Sequence, residues 1–362
     1  MSICSYTLNE VGIFMYDAVV IGAGQAGLAI GYYLKQAKQS FLLIDKAKEI
    51  GESWINRYDS LTLFTPRAYS ELPDFKMKGP RQEYPSKDEV ADYLAKFASY
   101  HSLPTQLNTT VTNVTKVEHG FKIETSKEVI LAKNIVIATG PFQEPSIPYF
   151  AKNLSNQVFQ IHSAQYKNPT QLKDGPVLVV GGANSGAQIA VELAKERTVY
   201  LSASQKFNFI PQDLGGKSIF WWFDKFGILE ASTTSKLGNF IKKRPDPIFG
   251  YELKTAIKSG KVTIKSRTIS IKDETFIFED KSELNVPNVV WATGFKSNYQ
   301  WLQIPNALQE NGQPEHIKGI TKIKGLYFLG LPWQTRRGSA LLQGVADDAK
   351  YIAQHIQVTK QK

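Results

Sequence analysis

Two stretches of this chain carry residues spaced for phosphate chemistry. The first is Gly22-Ala23-Gly24-Gln25-Ala26-Gly27, which follows the apolar run "DAVVI". The second is Gly181-Gly182-Ala183-Asn184-Ser185-Gly186, which follows "PVLVV". In a turn of this kind the first glycine permits the tight bend. The second lets backbone approach a pyrophosphate, and the third lets helix and strand pack closely. The helix that follows offers unpaired N–H groups and the positive end of its dipole to phosphate oxygens. Asp45, with Lys46 beside it, ends the next apolar run, where a carboxylate can meet a ribose. That charge repels a ribose 2′-phosphate. The first turn therefore suits an adenine dinucleotide with a free 2′-hydroxyl, FAD or NAD.

The second turn obeys different rules. Ala183 stands at the middle glycine position, so its methyl is expected to push the dinucleotide away or shift the turn, weakening binding without abolishing it. The following strand ends "VYLSAS", offering Ser202 and Ser204 with Lys206 beyond, and no acid or arginine. Without the acid a 2′-phosphate is tolerated; without arginine it is not strongly rewarded. This turn suits NADH or NADPH with relaxed preference. Together the two sites fit a nicotinamide cofactor that delivers hydride to a flavin, with FAD supplying the redox chemistry and the protein the positioning.

The elements that must hold these turns repeat. Each turn sits in a strand–turn–helix–strand unit, followed by a period-two meander closing on the same tripeptide: Ala138-Thr139-Gly140 and Ala292-Thr293-Gly294. The expected fold is α/β, two Rossmann-like dinucleotide-binding domains in three layers. The last strand, "GLYFLG", and a helix from about Ala340 to Gln354 have no counterpart in the second module. They are expected to return to the first domain, leaving the second as an insertion: 1–170, 171–294 and 295–362. That terminal helix, with Ser339 and Leu342 at its start, should aim its positive end at the pyrimidine edge of the flavin. Ser86 and Glu89 predict a capping box on a helix from Lys87 to about Tyr100. The stretch "SIFWWFDKFG", 218–227, reads as a helix packing on the other domain, with a substrate lid or lipid-facing patch as alternatives.

Composition narrows the chemistry. A chain of 362 residues, 42% apolar and 21% charged, has room for two ordinary soluble domains. The single cysteine, Cys4, excludes an internal redox thiol pair. The five histidines lack metal-site spacing. A net charge of +10 with dispersed lysines favours anionic ligands but draws no nucleic-acid stripe. No apolar run reaches membrane-span length and no secretion signal is visible, so the expectation is cytoplasmic. The residues before Met15 read as a loose extension and the tail "TKQK" as frayed.

The blocks "GAGQAG", "ESWINRYDSLTLFTPRAYSELPDF", "EYPSKDEVADYLAKFA", "VVGGANSGAQIA" and "WATGFKSNYQWL" resemble the flavin-containing monooxygenases, the group with bacterial members and plant YUCCA-like enzymes. The resemblance covers nearly the whole chain from Tyr16. It implies tightly bound FAD, NADH or NADPH as reductant and O2 as oxidant. It implies a flavin hydroperoxide that passes one oxygen atom to a small-molecule substrate: a sulfide, amine or carbonyl. It also implies flavin-side contacts at Ser53, Trp54 and Arg57, an adenine contact from the Val111 backbone, and cofactor-side turns at Thr139-Gly140 and Thr293-Gly294. No nucleic-acid or membrane partner is expected, and a homodimer is an admissible assembly. Three departures stand out. "NQVFQIHSAQY" keeps His162 but lacks the family's preceding Phe and Gly. Phe64 replaces an asparagine that commonly faces the flavin. Ala183 is the third. Phe64 and His162 are thus the candidate catalytic positions, and a reductase or oxidase that releases peroxide is the competing reading.

Overall fold

The computed structural model describes residues 14–360, so Cys4, most of the amino-terminal extension and the last two residues of the tail lie outside it. Strand β1 (Met15–Ile21) leads through the first glycine turn into helix α1 (Gln25–Gln36), and β2 (Phe41–Ile44) pairs parallel with β1. Helix α2 (Lys87–Tyr100) starts at the expected capping box. Ser86 Oγ accepts from the Glu89 N–H, and Glu89 accepts from the Ser86 N–H at 2.9 Å. After β3 (Thr105–Gln106), the antiparallel meander of β4 (Val111–Val117), β5 (Gly120–Thr125) and β6 (Val129–Ile137) completes a sheet of order β3-β2-β1-β6-β5-β4.

The second sheet is built from β7 (Phe159–His162), β8 (Val177–Val180), β9 (Val199–Ser202), β10 (Val262–Lys265) and β14 (Asn288–Trp291). Their order is β10-β9-β8-β14-β7, all parallel. Helix α3 (Asn184–Leu193) follows β8. The long insert after β9 carries α4 (Ile219–Lys225) and α5 (Lys236–Lys242), and α6 (Glu252–Lys258) leads into β10. The meander here is β11 (Thr268–Lys272), β12 (Thr275–Phe278) and β13 (Glu283–Leu284).

Strand β15 (Leu326–Phe328) then pairs parallel with β6, and α7 (Leu342–Lys360) packs against α1. The chain does return to the first sheet. Two boundaries differ from expectation. Phe159–His162 precedes residue 171 yet forms the edge of the second sheet, because its apolar residues pair with β14. The second period-two run up to Ala292-Thr293-Gly294 starts in the sequence at "KVTIK", yet that stretch is a parallel sheet strand and not part of the meander, because it pairs with β9. The two chain crossings between the sheets run side by side, with Phe295 paired to Pro145 and Lys296 to Glu144.

Alternation along β1 builds the core on both faces. Val20 packs with Leu28, Leu34, Tyr327 and Ile352 under α1 and α7. Val19 and Ile21 pack with Phe121, Ile135 and Phe328 on the other side. The terminal helix runs to Lys360, longer than its sequence pattern suggested, and a single 3-10 turn, Arg337–Ala340, precedes it.

Candidate active site

The two glycine turns have the same build. Gly22 N–H donates to Ile44 O at 2.8 Å, and Gly181 N–H donates to Ser202 O at 2.9 Å. A Cβ on Gly27 would collide with the carbonyl oxygen of Gly22, and a Cβ on Gly186 with that of Gly181. Gly22 and Gly181 have φ of 109° and 115°, the left-handed region that glycine tolerates. These four glycines answer to protein packing. Gly24 does not. Its φ is −75°, and a Cβ there would meet no protein atom within 4 Å. The space above it, at the N-terminus of α1, fits a pyrophosphate.

Ala183 holds the matching position with φ −80° and ψ −179°, so the turn is not shifted. Its methyl is exposed in the mouth of the second cradle. The neighbouring Gly182 does not serve as slack; a Cβ there would press on Phe207 and Ala203.

Asp45 sits beside the first cradle. Its carboxylate accepts from Ala23 N–H at 2.6 Å through Oδ2 and from Ala47 N–H at 2.9 Å through Oδ1, which fixes the side chain at the turn. The Val111 strand begins just past Thr109, whose N–H bonds the Asp45 carbonyl, and Val111 is half-buried there. Lys46 and Ser53 are exposed at the rim. Trp54 Nε1–H donates to Gln25 Oε1 at 3.2 Å, and Gln25 Nε2–H donates to Ala340 O at 3.1 Å. This relay ties the flavin-side segment, the α1 N-terminus and the turn before α7. Ala26 is buried beneath it, close to Gly330. Leu342 is buried at the start of α7, and Ser339 Oγ accepts from the N–H groups of Thr335 and Arg336.

Arg57 occupies the crossing between the sheets. Its guanidinium lies 4.7 Å from the Phe142 ring and 5.1 Å from the Phe295 ring, one from each crossing segment. Burial lowers its pKa. His162 is fully buried against the same place. Its Nδ1 accepts from Ala164 N–H at 3.1 Å and its Nε2 lies 3.0 Å from Gly294 O, so the proton sits on Nε2 and the ring is neutral. Burial lowers its pKa, the Gly294 carbonyl opposes that, and the charge of Arg57 adds to it. The ring edge also meets Phe295. His162 is thus held in the hinge and presents no free nitrogen for catalysis. Thr139 and Gly140 receive Gln143 Nε2–H, whose amide oxygen accepts from Asn298 N–H across the crossing. Thr293 donates to Ser146 O.

Phe64 stacks on Phe249 at 4.7 Å and faces Phe220 at 6.0 Å. The helix containing Trp221 and Trp222 therefore packs against the other domain, with Ile219 and Leu229 filling the cluster. The insert is clasped to the turn before α7. Glu230 pairs with Arg336, Asp246 with Arg337, and Thr233 N–H donates to Thr335 O at 2.8 Å. Tyr58, in the first domain's long loop, donates to Gln188 on α3 at 2.7 Å; burial raises its pKa, and Ser185 opposes that shift.

One expectation for the second cradle needs correction. Ser202 is buried, donates to Ser266 O at 2.8 Å and accepts from Thr268 N–H at 3.0 Å. The matched turns make it the counterpart of Ile44, a strand residue, so it binds the meander and not a ribose. Asn184 holds the insert, donating to Pro247 O at 3.1 Å. Ser204 is exposed at the tip as expected. Sequence reasoning missed Phe142, Phe295, Tyr58 and the Arg336-Arg337 clasp, because their partners are more than a hundred or about ninety residues away. It also missed Asp348, buried beside Ser339. Thr335 Oγ1 donates to its Oδ1 at 2.5 Å, Oδ2 has no protein partner, and burial raises its pKa.

Among the described residues no helix is long and apolar enough to cross a membrane, and no cluster of metal-ligating side chains occurs. Residues 19–210 match the family described as pyridine nucleotide-disulphide oxidoreductase. The chain is 53% identical over 342 residues to the uncharacterized oxidoreductase CzcO of Bacillus subtilis strain 168, covering 94% of this chain and 99% of that protein. It is 29% identical to the probable indole-3-pyruvate monooxygenase YUCCA1 of Arabidopsis thaliana, over 95% of this chain and 90% of that one. The flavin-containing monooxygenase of Stenotrophomonas maltophilia shares the fold with a TM-score of 0.81 at 24% identity, covering 96% and 99% of the two chains. The sequence carries one cysteine and so holds no internal thiol pair. The chain belongs to the pyridine nucleotide-disulphide oxidoreductase family and is an NAD(P)H-dependent flavoprotein oxidoreductase, with FAD and NAD(P)H as its cofactors.

Proposed function

We propose that this protein spends NAD(P)H to move one oxygen atom from O2 onto a small soft nucleophile, a sulfide or amine, or onto a carbonyl. We place this activity in the cytoplasm. The observation that carries the reading is the pair of matched dinucleotide cradles in one chain, joined by crossings that clamp Arg57 between Phe142 and Phe295. Bound FAD supplies two-electron transfer and reaction with O2. The chain supplies the rest. The α1 N-terminus and the open space at Gly24 receive the pyrophosphate, and Asp45 accepts from a ribose hydroxyl. Gln25 and Trp54 fix the flavin-side loop. Phe64, Phe220 and Phe249 exclude water and favour an apolar substrate.

One feature favours the competing reading of a reductase that releases peroxide. Phe64 brings no hydrogen-bond donor to the position where an amide is common in the resembling family. The deciding measurement is oxygenated product formed per NAD(P)H consumed across a panel of sulfides, amines and ketones. A ratio near one for any of them supports oxygenation. A ratio near zero for all, with peroxide equal to NAD(P)H consumed, would replace it with the reductase.

A further inference from the structure

The insert after β9 buries one side of its helices and leaves the other uncovered. On α4, Ile219 and Phe220 face inward and pack in the cluster with Phe64 and Phe249. Further round the helix, half-buried Trp222 stacks on Phe226 at 6.0 Å and meets the Trp221 ring edge-on at 4.8 Å. Phe226 is 68% exposed. Trp222 Nε1–H donates to Leu214 O at 2.9 Å, which ties the helix to the tip of a hairpin turned by Gly215 and Gly216. Leu214 is itself 53% exposed. Helix α5 is reversed relative to an ordinary surface helix, whose apolar stripe faces the core. It rests on the protein through Gly238, where a Cβ would collide with the Ser232 carbonyl oxygen. Phe240 lies two positions along and so projects from the opposite side, 54% exposed, with Leu237 also exposed.

Charge gathers on the same segment. From Leu214 to Arg244 there are six cations, Lys217, Lys225, Lys236, Lys242, Lys243 and Arg244, against two acids, Asp224 and Glu230. This stretch is under a tenth of the chain and holds +4 of its net +10. All six cations are exposed, and none is ion-paired with a described carboxylate. Both acids are engaged: Asp224 accepts from Tyr69 at 2.9 Å, and Glu230 pairs with Arg336. The acids at the two ends are engaged too, Asp213 by the Tyr84 hydroxyl at 2.7 Å and Asp246 by Arg337.

Exposed rings and leucines interleaved with unpaired cations suit the boundary of a bilayer with anionic headgroups. The apolar groups enter between the headgroups, and the ammonium groups meet phosphates. A fluid interface adapts to apolar groups carried on a hairpin and two helices, whereas a folded partner needs a matching hollow for each. We infer that the outer face of this insert docks peripherally on an anionic lipid surface. The expectation of no membrane partner then gives way, while no helix among the described residues is long and apolar enough to span a membrane. The inference does not depend on the oxygenation reading.

The test is co-sedimentation of the FAD-loaded protein with phosphatidylcholine vesicles and with vesicles containing about one-third phosphatidylglycerol. Partition onto the anionic vesicles should be at least about tenfold stronger at low salt, and should fall about tenfold or more at roughly 0.5 M salt. Brominated acyl chains should quench part of the tryptophan emission. K242Q/K243Q/R244Q and F226S/F240S should each weaken binding about tenfold, with Tm and the rate of flavin reduction by NAD(P)H at parental values. No sedimentation, equal sedimentation with both vesicle types, or binding that survives both sets of substitutions overturns the inference. Binding lost in the K242Q/K243Q/R244Q protein but kept in F226S/F240S, without quenching, assigns the patch to an acidic protein partner and overturns lipid docking.

Discussion

At the scale of single residues, the two cradles separate glycines required by the protein from those required by its ligand. A methyl on Gly27 has nowhere to go, whereas one on Gly24 projects into open space. Gly27→Ala should therefore fail to fold or lose several kcal/mol, on the order of the largest single-site effects. Gly24→Ala should leave the apoprotein's melting temperature nearly unchanged and lower flavin retention about tenfold or more, read from absorbance after gel filtration. Loss of apoprotein stability in Gly24→Ala would contradict the ligand-side role. His162 makes a prediction about pH. Its folded pKa is depressed, so its contribution to stability is present above the ordinary histidine pKa and is lost as pH falls through the folded value. His162→Gln should lower Tm at pH 8 but flatten its decline between pH 7 and pH 5. An unchanged slope would remove the buried neutral ring from the account.

At the scale of elements, the insert between β9 and α6 decides how the two domains face each other. It stacks Phe220 and Phe249 on Phe64, and it clasps the turn before α7 through Glu230–Arg336 and Asp246–Arg337. The acids are exposed, so each pair contributes about 0–1 kcal/mol. Glu230→Gln with Asp246→Asn should thus barely shift Tm. It should speed amide hydrogen exchange across 230–249 and raise the fraction of NAD(P)H that ends as peroxide. If exchange in that segment is unaltered, the clasp does not govern the insert. The crossings add a second restraint, since Arg57 bridges both and His162 fixes the Gly294 turn.

At the scale of the whole molecule, FAD binding and folding are linked. A ligand that binds only the native state at a hundredfold over its Kd adds about 2.7 kcal/mol, so adding FAD to apoprotein should raise Tm by several degrees; no shift would argue against the first cradle as its seat. How much of this was legible in the sequence follows from the range of each interaction. Gly22, Gly24, Gly27, Asp45 and the Ser86–Glu89 box act within one turn, one helix start or one strand–helix–strand unit, so residue type and spacing were enough to place them. The repeated Ala-Thr-Gly endings likewise disclosed two domains, and the unmatched final strand disclosed the insertion. Ser202 was misread because a shift of one residue along a strand turns a tip hydroxyl into a buried one, and register depends on pairing with a neighbour. The edge strand Phe159–His162 and the sandwich around Arg57 join residues tens to more than two hundred positions apart. Local patterning determined which cofactors the chain can cradle; only the packing of distant segments decided where the charges converge and how the two cradles meet.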